Sequence, residues 1–177
     1  MILLLAACGT KDPHDHDHDH DHELITSVVL DMTDQDGNEY SFAWDETTGD
    51  DLPDVEIPAN SSLTVAVSFL NTEEDPPEDI TLEIEDEADE HQVFWMSDLA
   101  TYTYDDADAD GLPLGLWGTI DTTDAGEGEL EVTLRHLPLQ DGESQKFEGM
   151  EDVVESEGFA SIGGDNDVQL AFPLVVF

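Results

Sequence analysis

The chain has 177 residues and an extreme charge: 46 Asp and Glu stand against 3 Lys and Arg, giving a formal net charge of −43. A field of this sign repels nucleic acids and anionic lipid surfaces, and it attracts cations and basic proteins. The length suits a single domain, and a hydrophobic share of 38% is enough to build its core. Charge runs are usually solvated surface, so the acidity alone does not define a site.

The chain opens on an apolar run that ends in Leu5-Ala6-Ala7-Cys8. This ending resembles the lipobox of bacterial lipoproteins, which implies that residues 1–7 are the remnant of a signal peptide and that Cys8 carries acyl chains such as palmitate. The run is too short to span a membrane. No Lys or Arg precedes it, which suggests a gene start assigned too late. The alternative is a free, buried cysteine in a cytosolic protein.

Cys8 is the only cysteine, so its lipidation would leave no thiol for a disulfide. Gly9 follows it, where Asp would retain a lipoprotein at the inner membrane in many Gram-negative bacteria. The resemblance therefore implies a lipid-anchored protein of the outer membrane, on either its periplasmic or its outer side.

Residues 8–23 read as a tether in which histidine and aspartate alternate. The histidines are His14, His16, His18, His20 and His22. Nothing in this composition can be buried, which predicts disorder without metal. Imidazole nitrogen suits Zn²⁺, Cu²⁺ and Ni²⁺, and carboxylates can complete the shell. The stretch resembles the His/Asp loops of bacterial zinc-binding proteins and transporters. A plain polar spacer remains the alternative, and a purification tag is a weaker one.

Residues 24–177 repeatedly alternate apolar and polar side chains, the pattern of half-buried strands. The apolar sets fall at residues 24–32, 40–44, 63–69, 80–84, 93–96, 102–104, 114–120, 130–134 and 168–176. Turn residues separate them. Eight or nine strands of this spacing predict an all-β domain, an antiparallel immunoglobulin-like β-sandwich. Residues 77–91 could include a helical turn after Ile84, and residues 141–166 read as a long acidic loop.

One acidic segment matches the first half of a calcium-binding loop. Asp106, Asp108 and Asp110 alternate and are followed by Gly111, a spacing that can converge carboxylates on Ca²⁺. The twelfth position is Trp117 where an EF-hand needs Glu, which excludes a complete EF-hand. An acidic hairpin loop without calcium is the favoured interpretation in so acidic a chain.

Two histidines, His91 and His136, belong to the predicted domain. His136 shares parity with the apolar residues of its strand and could point inward at the strand end. The two could form a metal site with a carboxylate, although two independent polar residues are the favoured interpretation. Arg135 is expected to form a structural ion pair, with Glu83, Glu85 or Glu90 as candidate partners.

No catalytic motif occurs in the chain, so we do not expect an enzyme. There is no nucleophile elbow, no zinc-protease helix and no phosphate-binding loop. A copper–zinc superoxide dismutase would need about six histidines in the domain, which has two. No organic cofactor is expected.

Three segments, residues 72–92, 104–115 and 130–138, resemble a group of small, acidic, all-β outer-membrane lipoproteins of Gram-negative bacteria. The resemblance does not assign a chemical role to any of these residues. We expect a monomeric lipoprotein that binds Zn²⁺, or Cu²⁺ or Ni²⁺, for capture, buffering or delivery to an uptake receptor such as a TonB-dependent one. The alternative is a non-catalytic surface module, stiffened by Ca²⁺, with the tail as a spacer.

Overall fold

The computed structural model describes residues 24–49 and 51–177. The predictions for residues 1–7, for Cys8 and for the tether up to residue 23 lie outside the described residues. Among the helices that are described, none is both long and apolar enough to cross a membrane.

The described residues form ten strands and two short α-helices. The strands are β1 Ser27–Asp34, β2 Glu39–Asp45, β3 Val55–Ile57, β4 Ser62–Asn71, β5 Glu78–Asp79, β6 His91–Met96, β7 Ala100–Tyr104, β8 Trp117–Thr122, β9 Gly126–His136 and β10 Asp165–Val176. The helices are α1 Thr81–Asp86 and α2 Met150–Glu157, and two 3₁₀ turns lie at Glu46–Thr48 and Phe159–Ser161.

Two sheets face each other, which confirms the predicted all-β sandwich. The first sheet has the order β2-β1-β4-β8-β7, with β5 added to the far end of β4. The second has the order β3-β10-β9-β6. The strand pairs are antiparallel except for β3 with β10. Strands β3 and β5 have three and two residues, too few for an alternating pattern to predict a strand.

The core lies between the sheets because the alternating apolar side chains of both point inward. In β4, Val65, Val67 and Phe69 are buried while the residues between them are not. In β9, Val132 and Leu134 take the same inward parity. Alternation of this kind makes one face of each strand apolar, and burying it provides the main stabilisation of the sandwich.

The strand predicted at residues 80–84 is wrong, because most of this segment is helix α1. Ile80 and Ile84 are buried and Leu82 is 58% exposed. Residues four apart share one face of a helix, so the spacing of Ile80 and Ile84 satisfies a helix as well as a strand. Thr81 at the start of α1 ties it to β4, since its hydroxyl accepts a hydrogen bond from the Phe69 N–H at 2.9 Å.

The loop predicted at residues 141–166 contains helix α2. Met150 and Val154, four residues apart, are buried against Phe94 and Leu137 on the outer face of the second sheet. This smaller core is separate from the one between the sheets. Two apolar positions are too few to stand out as a helical stripe, which explains why the acidic sequence favoured a loop.

Candidate metal centre

One end of the second sheet brings three strand ends together. β6 begins at His91, β9 ends at His136 and β10 begins at Asp165. Since β9 pairs antiparallel with β6 and with β10, these three strand termini lie together at one end of the sandwich. The candidate site lies there.

His91 and His136 form a directly opposed cross-strand pair. Their rings stack, with centroids 4.8 Å apart and planes at 14°. Both follow the parity of the core residues on their strands, so they extend the inward face of the sheet by one row. The two histidines are therefore in direct contact, whereas the interpretation favoured from the sequence treated them as two separate polar residues.

His91 is fully buried, with 0% of its surface exposed. Its Nδ1 lies 3.1 Å from the carbonyl oxygen of Glu87 in the turn before β6. A carbonyl oxygen can only accept, so Nδ1 carries the proton in this contact. In the neutral ring the lone pair is then on Nε2, the arrangement that backbone carbonyls commonly impose on metal-binding histidines.

Asp167 supplies the third group from a β-bulge. Along β10, Asn166 pairs with Arg135 and Val168 pairs with Leu134, so the register shifts and Asp167 is the extra residue. A bulge turns the inserted side chain away from the regular alternation. Here it places the Asp167 carboxylate beside the two imidazoles.

The three side chains each offer one ligand atom, and these atoms lie within 4.8 Å of one another. Within residues 24–49 and 51–177, these three side chains are the group of histidines and carboxylates that could hold a metal ion. Ligand atoms around four-coordinate zinc lie roughly 3.3 Å apart, since each bond is about 2.0–2.1 Å. Binding therefore requires the side chains to close in and the two ring planes to open from their stacked angle.

The set of two imidazoles and one carboxylate matches the ligand types that zinc prefers. Three protein ligands leave the fourth position of a tetrahedral ion for water or an exchanging partner. Four-ligand structural zinc sites lack that opening. The residues thus fit a divalent transition metal, in a site suited to exchange.

Gly164 allows the approach of β10 to β9 at this point. Its φ is +76°, and a Cβ at this position would collide with the carbonyl oxygen of His136. Glycine is thus required both by the left-handed backbone and by the close contact. The turn at Gly164 therefore brings the bulge of β10 close to His136.

Arg135 lies beside the site but does not use the predicted partners. Its Nε donates to the Gly163 carbonyl oxygen at 2.9 Å and its Nη1 to Asn166 Oδ1 at 2.7 Å. Burial lowers the pKa of Arg135, while the carboxylates of Asp165 and Asp167 oppose that shift. Arg135 therefore fixes the strand that carries Asp167 and offsets part of its negative charge.

The Asp106 loop uses its carboxylates within the loop. Asp106 accepts the backbone N–H groups of Gly115, Leu116 and Trp117 at 2.7 to 2.9 Å. Asp108 accepts two more N–H groups and pairs with Lys146 at 2.9 Å. The three aspartates do not form a converging metal-ligand group in the described residues. This geometry favours the acidic hairpin interpretation.

Asp167 is the residue that sequence reasoning missed. Its position among Asp165, Asn166 and Gly164 reads as an acidic turn, and nothing in the pattern distinguishes a bulge there from a regular strand. His14, His16, His18, His20 and His22 lie outside the described residues, so their metal binding stays a prediction. In comparisons with protein-family models, with curated proteins and with solved structures, the chain matches none of them.

Proposed function

We propose that this protein is a lipid-anchored metal-binding protein that holds a divalent transition metal ion, Zn²⁺ by preference, at His91, His136 and Asp167. The observation that carries the proposal is the convergence of these side chains from three adjacent strands. The Glu87 carbonyl contact that orients His91 supports it further.

The tail histidines and the Cys8 anchor extend the proposal. Residues 14–22 would collect metal ions near the membrane, and the domain site would hold one ion for buffering or transfer to an uptake receptor, such as a TonB-dependent one in the outer membrane. A three-ligand site suits transfer, because its open position lets a receptor ligand enter before the protein ligands leave. The strongly negative surface raises the local concentration of cations.

The test is calorimetric titration of Zn²⁺ into the full-length chain with the five tail histidines replaced by asparagine. This variant isolates the domain site. We expect one zinc ion per chain with a Kd of about 1 µM or tighter, which corresponds to about 8 kcal/mol. His136→Gln and Asp167→Asn should each weaken binding by about 100-fold, because each removes one of three ligands.

Asp165→Asn is the matched control, since it removes the same charge two residues earlier in β10, where Asp165 pairs with His136. It should change the Kd by much less than Asp167→Asn. Equal losses from both aspartate variants would show general electrostatic attraction, and absent zinc binding in the tail variant would refute the domain site.

A further inference from the structure

A hollow on the outer face of the first sheet is unrelated to the metal site. It lies where β4 changes neighbours: β8 pairs with residues 62–66, and β5 pairs with residues 70 and 71. Between these pairings no strand of the described residues lies beside β4 on that side, and α1 follows β5. The hollow has a volume of about 500 Å³.

Small side chains form the floor of the hollow. Ala66 on β4 pairs with Asp31 on one side and with Trp117 on the other, so the three form one row across the sheet. Thr64 and Ser68 are the neighbours of Ala66 on the same face and also line the hollow. This floor leaves room above the sheet for another chain.

Two large apolar side chains stand at the hollow, and both are open to solvent. Trp117, the first residue of β8, is 57% exposed, and Leu82 of α1 is 58% exposed. They come from different elements and line the same hollow. Large apolar groups exposed together around a depression mark a surface that another molecule covers, whereas single exposed ones need no explanation.

The charged groups at the hollow are all acidic. Asp31, Asp79, Glu85 and Asp105 line it, and no Lys or Arg is among its lining residues. The two bases of the described chain are used elsewhere, Arg135 beside the metal site and Lys146 on Asp108. A partner that fits this hollow must therefore bring positive charge as well as apolar surface.

We propose that this hollow docks an extended, basic segment of another protein that carries Arg or Lys together with apolar side chains on the face turned to the sheet. The guanidinium of an arginine can lie over the Trp117 indole, the aromatic ring that attracts cations most strongly, and pair with the carboxylates around it. Apolar side chains of the segment cover Leu82. Successive side chains of an extended peptide point to opposite sides, so the basic and apolar side chains that enter the hollow stand two residues apart.

The test uses a fluorescein-labelled octapeptide in which pairs of arginines and pairs of leucines alternate, so that each face of the extended peptide carries both residues. Binding is measured by fluorescence anisotropy with the full-length chain at about 0.15 M ionic strength, where long-range attraction is screened. Trp117→Ala should weaken binding by about tenfold or more, as expected of a central aromatic contact. Leu82→Ala should act in the same direction.

Phe177→Ala is the matched control because Phe177 is 63% exposed and does not line the hollow. It should leave peptide affinity unchanged. A second probe, with serine in place of leucine, should bind at least about fivefold more weakly to the unmodified chain, since it keeps only the charge.

Three results would overturn the proposal. The first is equal affinity of the Trp117→Ala and Phe177→Ala chains for the arginine–leucine peptide. The second is equal binding of the serine peptide, which would reduce the effect to net charge. The third is binding of a neutral oligosaccharide, such as cellohexaose, at Trp117 without peptide binding there. Thermal melting of both variants checks that each is folded.

Discussion

At the scale of single residues, Lys146 illustrates how this acidic chain uses its few bases. Its ammonium group is buried, lies 2.9 Å from the Asp108 carboxylate and donates to the Ala88 carbonyl oxygen at 2.8 Å. Burial lowers the pKa of Lys146, and the contact with Asp108 opposes that shift. The pair links the loop after α1, the Asp106 loop and the segment before α2.

We predict that Asp108→Asn destabilises the protein by about 3 kcal/mol or more, because it leaves the Lys146 ammonium buried without its counter-charge. The double variant Asp108→Asn with Lys146→Met should recover a large part of the loss, since it removes the stranded charge. Urea unfolding of the three proteins measures both effects. A double variant no more stable than the single one would contradict the ion-pair account.

The proposed metal ligands were only partly predictable from the sequence. His91 and His136 could be singled out because histidine is rare in the domain, and the inward parity of His136 was readable from Leu130, Val132 and Leu134. Their pairing depends on strand order and register, which a single sequence does not encode locally. The position of the Asp167 carboxylate depends on a β-bulge, and no residue type in that acidic turn predicts a bulge.

At the scale of elements, the turn into β10 determines whether the side chains of His91, His136 and Asp167 come together. Gly164 has a φ of +76° and Gly142 a φ of +83°, but a Cβ would strike the His136 carbonyl oxygen only at Gly164, whereas Gly142 faces open space. Substituting each glycine in turn therefore distinguishes two costs. The left-handed backbone is present at both positions, and the close contact between β9 and β10 is present only at Gly164.

We predict that Gly142→Ala costs about 1–2 kcal/mol from the left-handed backbone alone. Gly164→Ala should cost more and should also weaken zinc binding, because the shifted turn moves Asp167 away from the histidines. Chemical unfolding and zinc titration of both variants measure this. Equal stability losses with unchanged zinc affinity in Gly164→Ala would show that the turn does not position the site.

Strands were more predictable than helices for a physical reason. In a strand with one buried face, apolar and polar residues alternate over many positions, as from Val168 to Val176 in β10. The alternation stays recognisable even where the strand is locally irregular. Helix α1 spans six residues and α2 eight, too short for a 3.6-residue period to show. In α1, Ile80 and Ile84 fit both periods, and only packing decides between them.

At the scale of the whole molecule, carboxylates stabilise the fold where they accept hydrogen bonds. Asp34 holds the β1–β2 turn through the Asn38 backbone and side chain, and Asp45 holds the following 3₁₀ turn through Thr47. These bonds lower the pKa of both groups. The pKa of Asp108 is also lowered: burial raises it, but the contact with Lys146 and the backbone N–H groups of Leu112 and Asp110 together outweigh burial.

A carboxyl group whose pKa is lower in the folded than in the unfolded state stabilises the protein above its unfolded pKa of about 3.9. That contribution is lost as the pH falls through the folded value. We predict that the free energy of unfolding decreases below about pH 4 and that Asp34→Asn flattens this decrease. Urea unfolding across this range checks it. An unfolding free energy that stays constant down to about pH 2 would contradict these assignments.

The domain is proposed to hold a metal ion through His91, His136 and Asp167. X-ray absorption spectroscopy of the full-length chain, with the tail histidines replaced and one equivalent of Zn²⁺ bound, tests it most directly. We expect two imidazole nitrogens and a carboxylate oxygen at about 2.0–2.1 Å, with the imidazole signal halved in His136→Gln. A shell of oxygens alone, unchanged by that substitution, would contradict it.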